Sequence, residues 1–442
     1  MSMVRSVNRT LRLTLPMEEA FLRLAPAFVS QGAVGLGLDA EAAEEMALAA
    51  EEVMAYLVRL GGGTGTEVDI RCLAGSHYIQ TDISFPVDAA NLRAFNMTAT
   101  VSLDDQSGLD EMGLLIASRL ADRFRISHRP DGKPELSLIK EFSYPEILVD
   151  HVEECHPLAS FSLIEPDPGQ LKWFLGLVQQ ICPATTYPRD FLYPGKIIDM
   201  AAAGEYRLRL AVSPTGEIGG GIVWRWEGLK TVEMFGPYIF HPQTTAAMAR
   251  GLMDACIVNV ARSSAQVLIN RMPPAALPAG YLEPLGTISM SAADGAPQRL
   301  TWYFREVHED MGAVSWVHPD LHDYLAAEYR RLVFPREIRP VAAAGEAGQP
   351  FSVLSAEMDR RLGRVELRPI WPGADRRENL QNHLAMIGQA GLAHVFFAMD
   401  LGLSWQSEFT PDLLALGFTP RLVLPHAGCG DLLLFELFLQ TA

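Results

Sequence analysis

The stretch E-M-F-G-P-Y-I-F-H-P-Q-T-T-A-A-M-A-R-G-L-M-D-A-C-I-V-N-V, residues 233–260, holds the change of pattern on which the fold reading turns. An apolar run of strand length ends near Phe240, and a longer Ala/Met-rich run of helical length begins near Thr244. The reading is strand 231–240, helix 244–261 and then strand 265–270. Toward the N-terminus lie a helix over 167–182, a Pro-rich stretch and a strand over 206–213. A turn at Pro214-Thr215-Gly216 then leads to a strand over 217–226.

Further out, residues 1–142 read as one alternating unit. Residues 5–14 alternate in strand fashion. Asp39 is placed to cap a helix running to about Leu60, because Met46, Ala49, Val53, Leu57 and Leu60 recur at three and four residues. Gly61-Gly62-Gly63 stops it. Strands over 67–74 and 77–85 flank Gly75-Ser76, a helix spans 110–123, and a hairpin of 124–129 and 135–142 turns at Pro130-Asp131-Gly132. Residues 143–160 read as a connector, 161–340 as a second unit and 351–442 as a third. The Ala/Gly/Pro-rich segment 341–350 separates the last two. The third unit reads strand 362–370, helix 375–390, strand 393–399, helix 407–416 and strand 431–439. The fold class is therefore mixed α/β (α+β).

Composition narrows the function. There are 36 Lys and Arg against 53 Asp and Glu, a net charge of −17, which argues against a protein that grips a phosphate backbone. With 49% hydrophobic and 20% charged residues the chain can build cores and is not expected to be disordered. No apolar run approaches the roughly 18 residues of a membrane span, and no apolar stretch follows Arg5, Arg9 and Arg12 as a secretory signal requires. Five scattered cysteines without a CxxC fit a reduced, cytoplasmic setting.

Within A-A-E-E-V-M-A-Y-L-V-R-L-G (49–61), Glu52 and Tyr56 share a helix face. D-I-S-F (82–85) follows at a strand end and E-M-G-L (111–114) at a helix start. This ordered set resembles the GHKL-type ATPases, specifically the anti-sigma-factor serine kinases. The resemblance implies a GHKL-like α/β sandwich binding ATP with Mg²⁺. Glu52 would be the general base, with Tyr56 in place of the family's Mg²⁺-binding Asn. Asp82 would meet adenine, with Ser84 replacing the motif's Gly. Gly113 and Leu114 would lie by the phosphates, with Glu111 replacing the first Gly. A phenol is a poor Mg²⁺ ligand, and a carboxylate at a phosphate-binding helix start repels its ligand. The resemblance thus implies the fold with a weakened kinase site.

The order strand–turn–strand–strand–helix–strand over 206–270, with V-S-P-T-G-E-I-G-G-G (212–221), resembles the GNAT acyltransferases. In that family the fourth strand splays from the fifth and acyl-CoA lies in the gap. Its pyrophosphate meets a Gln/Arg-x-x-Gly-x-Gly/Ala loop at the following helix. The implied positions here are Phe240, Gln243, Thr245 and Ala246, with Ala246 where the first Gly belongs. The Leu416-Gly417-Phe418 step resembles the close of a GNAT-like domain, so 161–442 is expected to hold one composite or two GNAT-like units.

Other motifs read more plainly. His318 and His322, with Asp320 and Asp323, have a metal-compatible spacing but read as polar residues on a capped helix; His151, Cys155 and His156 read as part of the connector. G32-A-V-G35-L-G37 reads as a loop before the first helix, and Cys429, between two glycines, as structural. The function expected is a cytoplasmic regulatory protein, a pseudoenzyme acting through a protein partner or small ligand. The alternatives are a working acyltransferase regulated by the N-terminal domain and an ATP-dependent serine kinase.

Overall fold

The computed structural model describes residues 9–61, 66–85, 92–99, 106–129, 133–147, 155–241, 245–291, 297–341 and 349–439. The chain opens with β1 (Thr10–Pro16), α1 (Leu24–Leu36), α2 (Ala40–Gly61), β2 (Glu67–Ala74), β3 (Tyr78–Ser84), α3 (Gln106–Leu120), β4 (Arg123–His128) and β5 (Pro134–Glu141). Asp39 starts α2 as expected: its Oδ1 accepts the Ala42 N–H at 2.9 Å. The strands form an antiparallel sheet in the order β1-β2-β3-β5-β4. Val68, Ile70, Cys72, Ile79 and Ile83 make one buried face. That face meets α2, since Thr81 Oγ1 lies 3.8 Å from Met46 Sδ. The result is a helix-on-sheet α/β sandwich.

Two local expectations need correction. The run Gly32–Gly37 is the second half of α1 and its cap, not a loop. Gly32 lets the helix approach the sheet, because a Cβ there would lie 3.3 Å from Leu11 and 3.5 Å from Cys72 Sγ. Gly37, at φ +116°, ends the helix in the left-handed region, its N–H reaching the Ala33 and Val34 carbonyls. The second correction concerns α3, which starts at Gln106, so Glu111-Met112-Gly113-Leu114 lies inside the helix and not at its first turn.

The middle of the chain runs β6 (Ser162–Ile164), α4 (Pro168–Ile181), α5 (Pro194–Ala202), β7 (Tyr206–Val212), β8 (Ile218–Trp226), β9 (Thr231–Ile239), α6 (Thr245–Val260), β10 (Val267–Asn270), β11 (Glu283–Ser291) and β12 (Pro297–Glu306). A capping box starts α4: Asp167 Oδ1 accepts the Gln170 N–H at 2.8 Å, and Gln170 Oε1 accepts the Asp167 N–H at 3.1 Å. The seven-stranded sheet has the order β11-β12-β10-β9-β8-β7-β6. Its β9–β10 pair is parallel, joined through α6, whose Met248, Leu252 and Cys256 pack on Val232 and Met234.

A two-stranded parallel sheet of β13 (Ala313–Val317) and β14 (Arg336–Pro340) brackets α7 (His322–Leu332). The last elements are β15 (Val353–Asp359), β16 (Arg364–Trp371), α8 (Arg376–Gln389), β17 (His394–Asp400), α9 (Thr410–Ala415), β18 (Thr419–Leu424) and β19 (Leu432–Phe438). Their sheet order is β15-β16-β17-β19-β18. This repeats the order β8-β9-β10-β12-β11 of the middle sheet, again with a parallel pair, β16–β17, joined through a helix. The chain thus contains one strand arrangement twice, in full and in shortened form. Packing divides it into two units: Met1–Ser143 with Glu346–Ala356 and Arg368–Met386, and Tyr144–Gly345 with Glu357–Leu367 and Ile387–Ala442. No helix among the described residues is long and apolar enough to cross a membrane.

Candidate functional site

The middle sheet has an opening at its parallel pair. β10 pairs with β9 at three residues, Val267–Ile269 against Thr231–Glu233. Beyond Glu233, β9 runs on to Ile239 with no described strand on that side. Its ladder with β8 shifts there: Val223 faces Phe235 while Gly221 faces Tyr238, so Gly236-Pro237 form a bulge. Gly236 sits at φ +99°, and a Cβ would press 3.0 Å from Tyr238 N, which makes glycine the residue the bulge requires. Across the opening, Asn270 Nδ2 donates to Gly236 O at 3.1 Å, and Asn270 Oδ1 accepts the Met272 N–H at 2.9 Å.

At the far end of the opening β9 hands over to α6. Phe240 is buried, with its ring centroid 5.8 Å from that of Phe174. Thr245 is the first residue of α6 and Ala246, exposed, lies in its first turn. Gln243 lies outside the described residues. The structure therefore gathers Phe240, Thr245 and Ala246 at the strand-to-helix step.

On the sheet face opposite α6 lies a buried ionic cluster. Arg271 Nε and Nη2 donate to the two oxygens of Glu233 at 2.6 and 2.7 Å, and Nη2 also meets Glu227 at 2.7 Å. Arg225 Nη2 lies 3.3 Å from Glu233, while its Nη1 donates to Tyr206 Oη at 3.0 Å. The Tyr206 hydroxyl points at Asp190 at 3.4 Å. Burial alone would raise the Glu233 pKa, yet Arg271 and Arg225 hold it below the usual carboxylate value. Burial pushes the Tyr206 hydroxyl far above its ordinary range. Glu233 is thereby a fixed anion rather than a poised base. None of these partners was read from the sequence, because only the register of β7, β8 and β9 brings them together.

In the repeated arrangement the corresponding strand-to-helix step is closed. Gln349 O accepts the Ala374 N–H at 2.8 Å, and Asp375 Oδ1 accepts the Ser352 N–H at 2.6 Å. A Cβ on Gly373 would run into the backbone of Phe351 and Ser352. Asn379 Nδ2 donates to Ser352 O at 2.9 Å. Asn96 Nδ2 donates to the same oxygen at 2.8 Å, and its Oδ1 accepts the Leu354 N–H at 2.9 Å. The space before α8 is filled by the chain itself, with a carboxylate where an anion would need to sit.

Of the residues singled out in the N-terminal sandwich, Glu52 and Gly113 come together while Asp82 is set apart. Glu52 stands on α2, half-buried, with Gly113 packed directly against its carboxylate. Tyr56 is buried at 3% exposure and Leu114 at 1%. Asp82 points to the sheet face away from the helices, where it accepts hydrogen bonds from Arg71 at 3.0 Å and from Gln80 and Ser137 at 2.6 Å each. Glu52 and Asp82 thus lie on opposite sides of β3. Gly113 lies inside α3, so its N–H is not one of the free groups of a helix start.

His318 accepts the Asp320 N–H as a cap, His322 is exposed beside Asp323, and no metal-ligating group occurs among the described residues. His151 lies outside them. Cys429 is exposed, and burial together with Asp400 raises its thiol pKa.

No protein-family model and no curated protein sequence matches the chain. Solved structures that resemble part of it are acetyltransferases. One, a putative acetyltransferase from Acinetobacter baylyi ADP1, shares 18% identity over 34% of this chain and 97% of its own, with a TM-score of 0.28. A second, a putative acetyltransferase from Salmonella typhimurium with acetyl-CoA, shares 13% over 34% and 96%, TM-score 0.29. A GNAT-superfamily phosphinothricin acetyltransferase from Sinorhizobium meliloti, in complex with acetyl-CoA, shares 11% over 33% and 88%, TM-score 0.28. At such identities and scores they assign no residue a role here. The splayed parallel pair joined through a helix, seen directly in β9, α6 and β10, is what the sequence resemblance to GNAT proteins implies for the middle of the chain.

Proposed function

We propose that the middle of the chain is a GNAT-type acyltransferase module whose acyl-CoA lies along the free edge of β9, within a protein regulated through its N-terminal sandwich. The observation that carries this reading is the three-residue pairing of β10 with β9, which leaves the strand from Met234 to Ile239 open on one side beside a bulge. Backbone groups on such an edge suit the amides of an extended pantetheine arm, and the start of α6 suits its phosphates. An acyl-CoA supplies an acyl group activated as a thioester. The chain would hold it with the β9 backbone and Asn270, and line the acceptor side with Phe235, Tyr238 and the Arg225–Glu233–Arg271 cluster.

A ligand bound only by the native state raises stability by mass action, so acetyl-CoA at a hundred times its dissociation constant should add about 2.7 kcal/mol. A thermal-shift series with acetyl-CoA on the full chain is the test; no shift at millimolar concentration would overturn the reading. A second reading, a pseudoenzyme that senses acyl-CoA without transferring, is favoured by the locked Glu233 and by the Asn270 bridge across the opening. Under it, acetyl-CoA binds with no CoA released to any acceptor. The sandwich would bind a regulatory protein in either case.

A further inference from the structure

The ionic cluster on the face of the middle sheet has an imbalance that its own residues do not resolve. Among its buried side-chain atoms, Arg225 Nε and Trp302 Nε1 have no hydrogen-bond partner. Two more nitrogens, Nε and Nη1 of Arg361, are in the same condition. Arg361 sits on the turn between β15 and β16, where its Nη2 donates to Tyr187 O at 2.9 Å and lies 3.7 Å from Asp359 Oδ2, and its guanidinium lies 4.9 Å over the Tyr187 ring. A ladder of rings joins the two arginines: Tyr187 stacks on Phe191 at 6.3 Å, Phe191 meets Phe235 at 5.9 Å, and Arg225 lies 5.5 Å over Phe235.

Every orphan in this set is a donor. Both oxygens of Glu233 and of Glu227 are engaged by arginines. Buried donors without acceptors are costly, and native proteins keep few of them unless something else supplies the acceptor. The group missing at Arg361, where two nitrogens of one guanidinium are unmet, must be rich in acceptors and compatible with arginine, which describes an oxyanion. The Tyr187 ring under the Arg361 guanidinium suits a flat apolar body attached to that anion.

We infer that the acceptor side of this site takes a small molecule carrying an oxyanion, a carboxylate or a phosphate, which Arg361 engages at the end of the Tyr187–Phe191–Phe235 ladder. The inference rests on the acyltransferase reading for calling this the acceptor side, but the anion site itself does not depend on it. Arg361 is a binding residue here, held in place by Tyr187.

The test is calorimetric titration of the full chain with benzoate, phenyl phosphate and the neutral benzamide, beside a separate titration with acetyl-CoA. At least one anion should bind ten times more tightly than benzamide, and which one does so identifies the oxyanion. Arg361→Gln should lower that anion's affinity at least tenfold while leaving acetyl-CoA within twofold. Should Arg361→Gln fail to fold, Arg361→Lys and the anion-to-benzamide ratio of the unaltered protein still decide: the ratio stands, and lysine lowers it. Equal binding of benzamide and both anions, or binding of none, overturns the inference. Binding of acetyl-CoA without an anion preference overturns the anion site alone; an anion preference without acetyl-CoA binding overturns the acyl-CoA reading alone.

Discussion

Asp82 shows how a side chain's direction decides its role. Held by Arg71, Gln80 and Ser137 on the face away from the helices, it works as a buried cross-strand tie. Asp82→Ala should lower stability by about 1–3 kcal/mol in urea unfolding, because it strands the donors that met it. Gly113→Ala should change stability by less than about 1 kcal/mol, since helix propensity gains and the carboxylate of Glu52 can swing aside. A phosphate-cradling glycine would instead show its loss in nucleotide binding. Glu233→Gln should cost about 3–5 kcal/mol, leaving Arg271 and Arg225 without their shared anion. Because the folded pKa of Glu233 is depressed, its contribution is complete above the unfolded carboxylate value and fades as pH falls through the folded one. Urea unfolding across a pH series should therefore show the unaltered protein losing stability below about pH 4.5 more steeply than Glu233→Gln.

At the scale of elements, much was legible from periodicity. The apolar spacing of Met46, Ala49, Val53 and Leu57 placed α2, with Asp39 as its cap, and the turn residues placed the strands that flank them. What periodicity missed has physical reasons. α1 hid behind Gly32, Gly35 and Gly37, which read as loop residues although close packing on Leu11 and Cys72 asks for a glycine in the helix. β15, whose burial passes from Val353 and Leu354 to partly exposed residues, lacks a clean alternation. The closed step before α8 makes its own prediction. Gly373→Ala should destabilise by about 1–3 kcal/mol or more, because its Cβ meets backbone that cannot rotate away, whereas Gly236→Ala should disturb the open β9 edge and weaken acetyl-CoA binding. Urea unfolding and a parallel titration separate the two effects.

For the whole molecule, one strand order occurs twice, and the proposed acyl-CoA site lies in the first occurrence. In both, the parallel pair parts early, after three paired residues for β9 and β10 and four for β16 and β17; before α8, Gln349, Ser352 and Asp375 fill the strand-to-helix step. The sequence displayed the first through its strand-to-helix change at residues 233–260, but not the second, whose closure depends on Asn96 meeting Ser352 from more than two hundred positions away. The ionic cluster was invisible for the same reason: Arg225 and Arg271 meet Glu233 only through sheet register, and Arg361 reaches Tyr187 only from a distant turn. Hydrogen exchange of the full chain with and without acetyl-CoA tests the placement of the acyl-CoA site most directly. The account predicts added protection at the amides of Met234–Phe240 and the first turn of α6, with none over Trp371–Arg376; protection at the latter segment, or at neither, would contradict it.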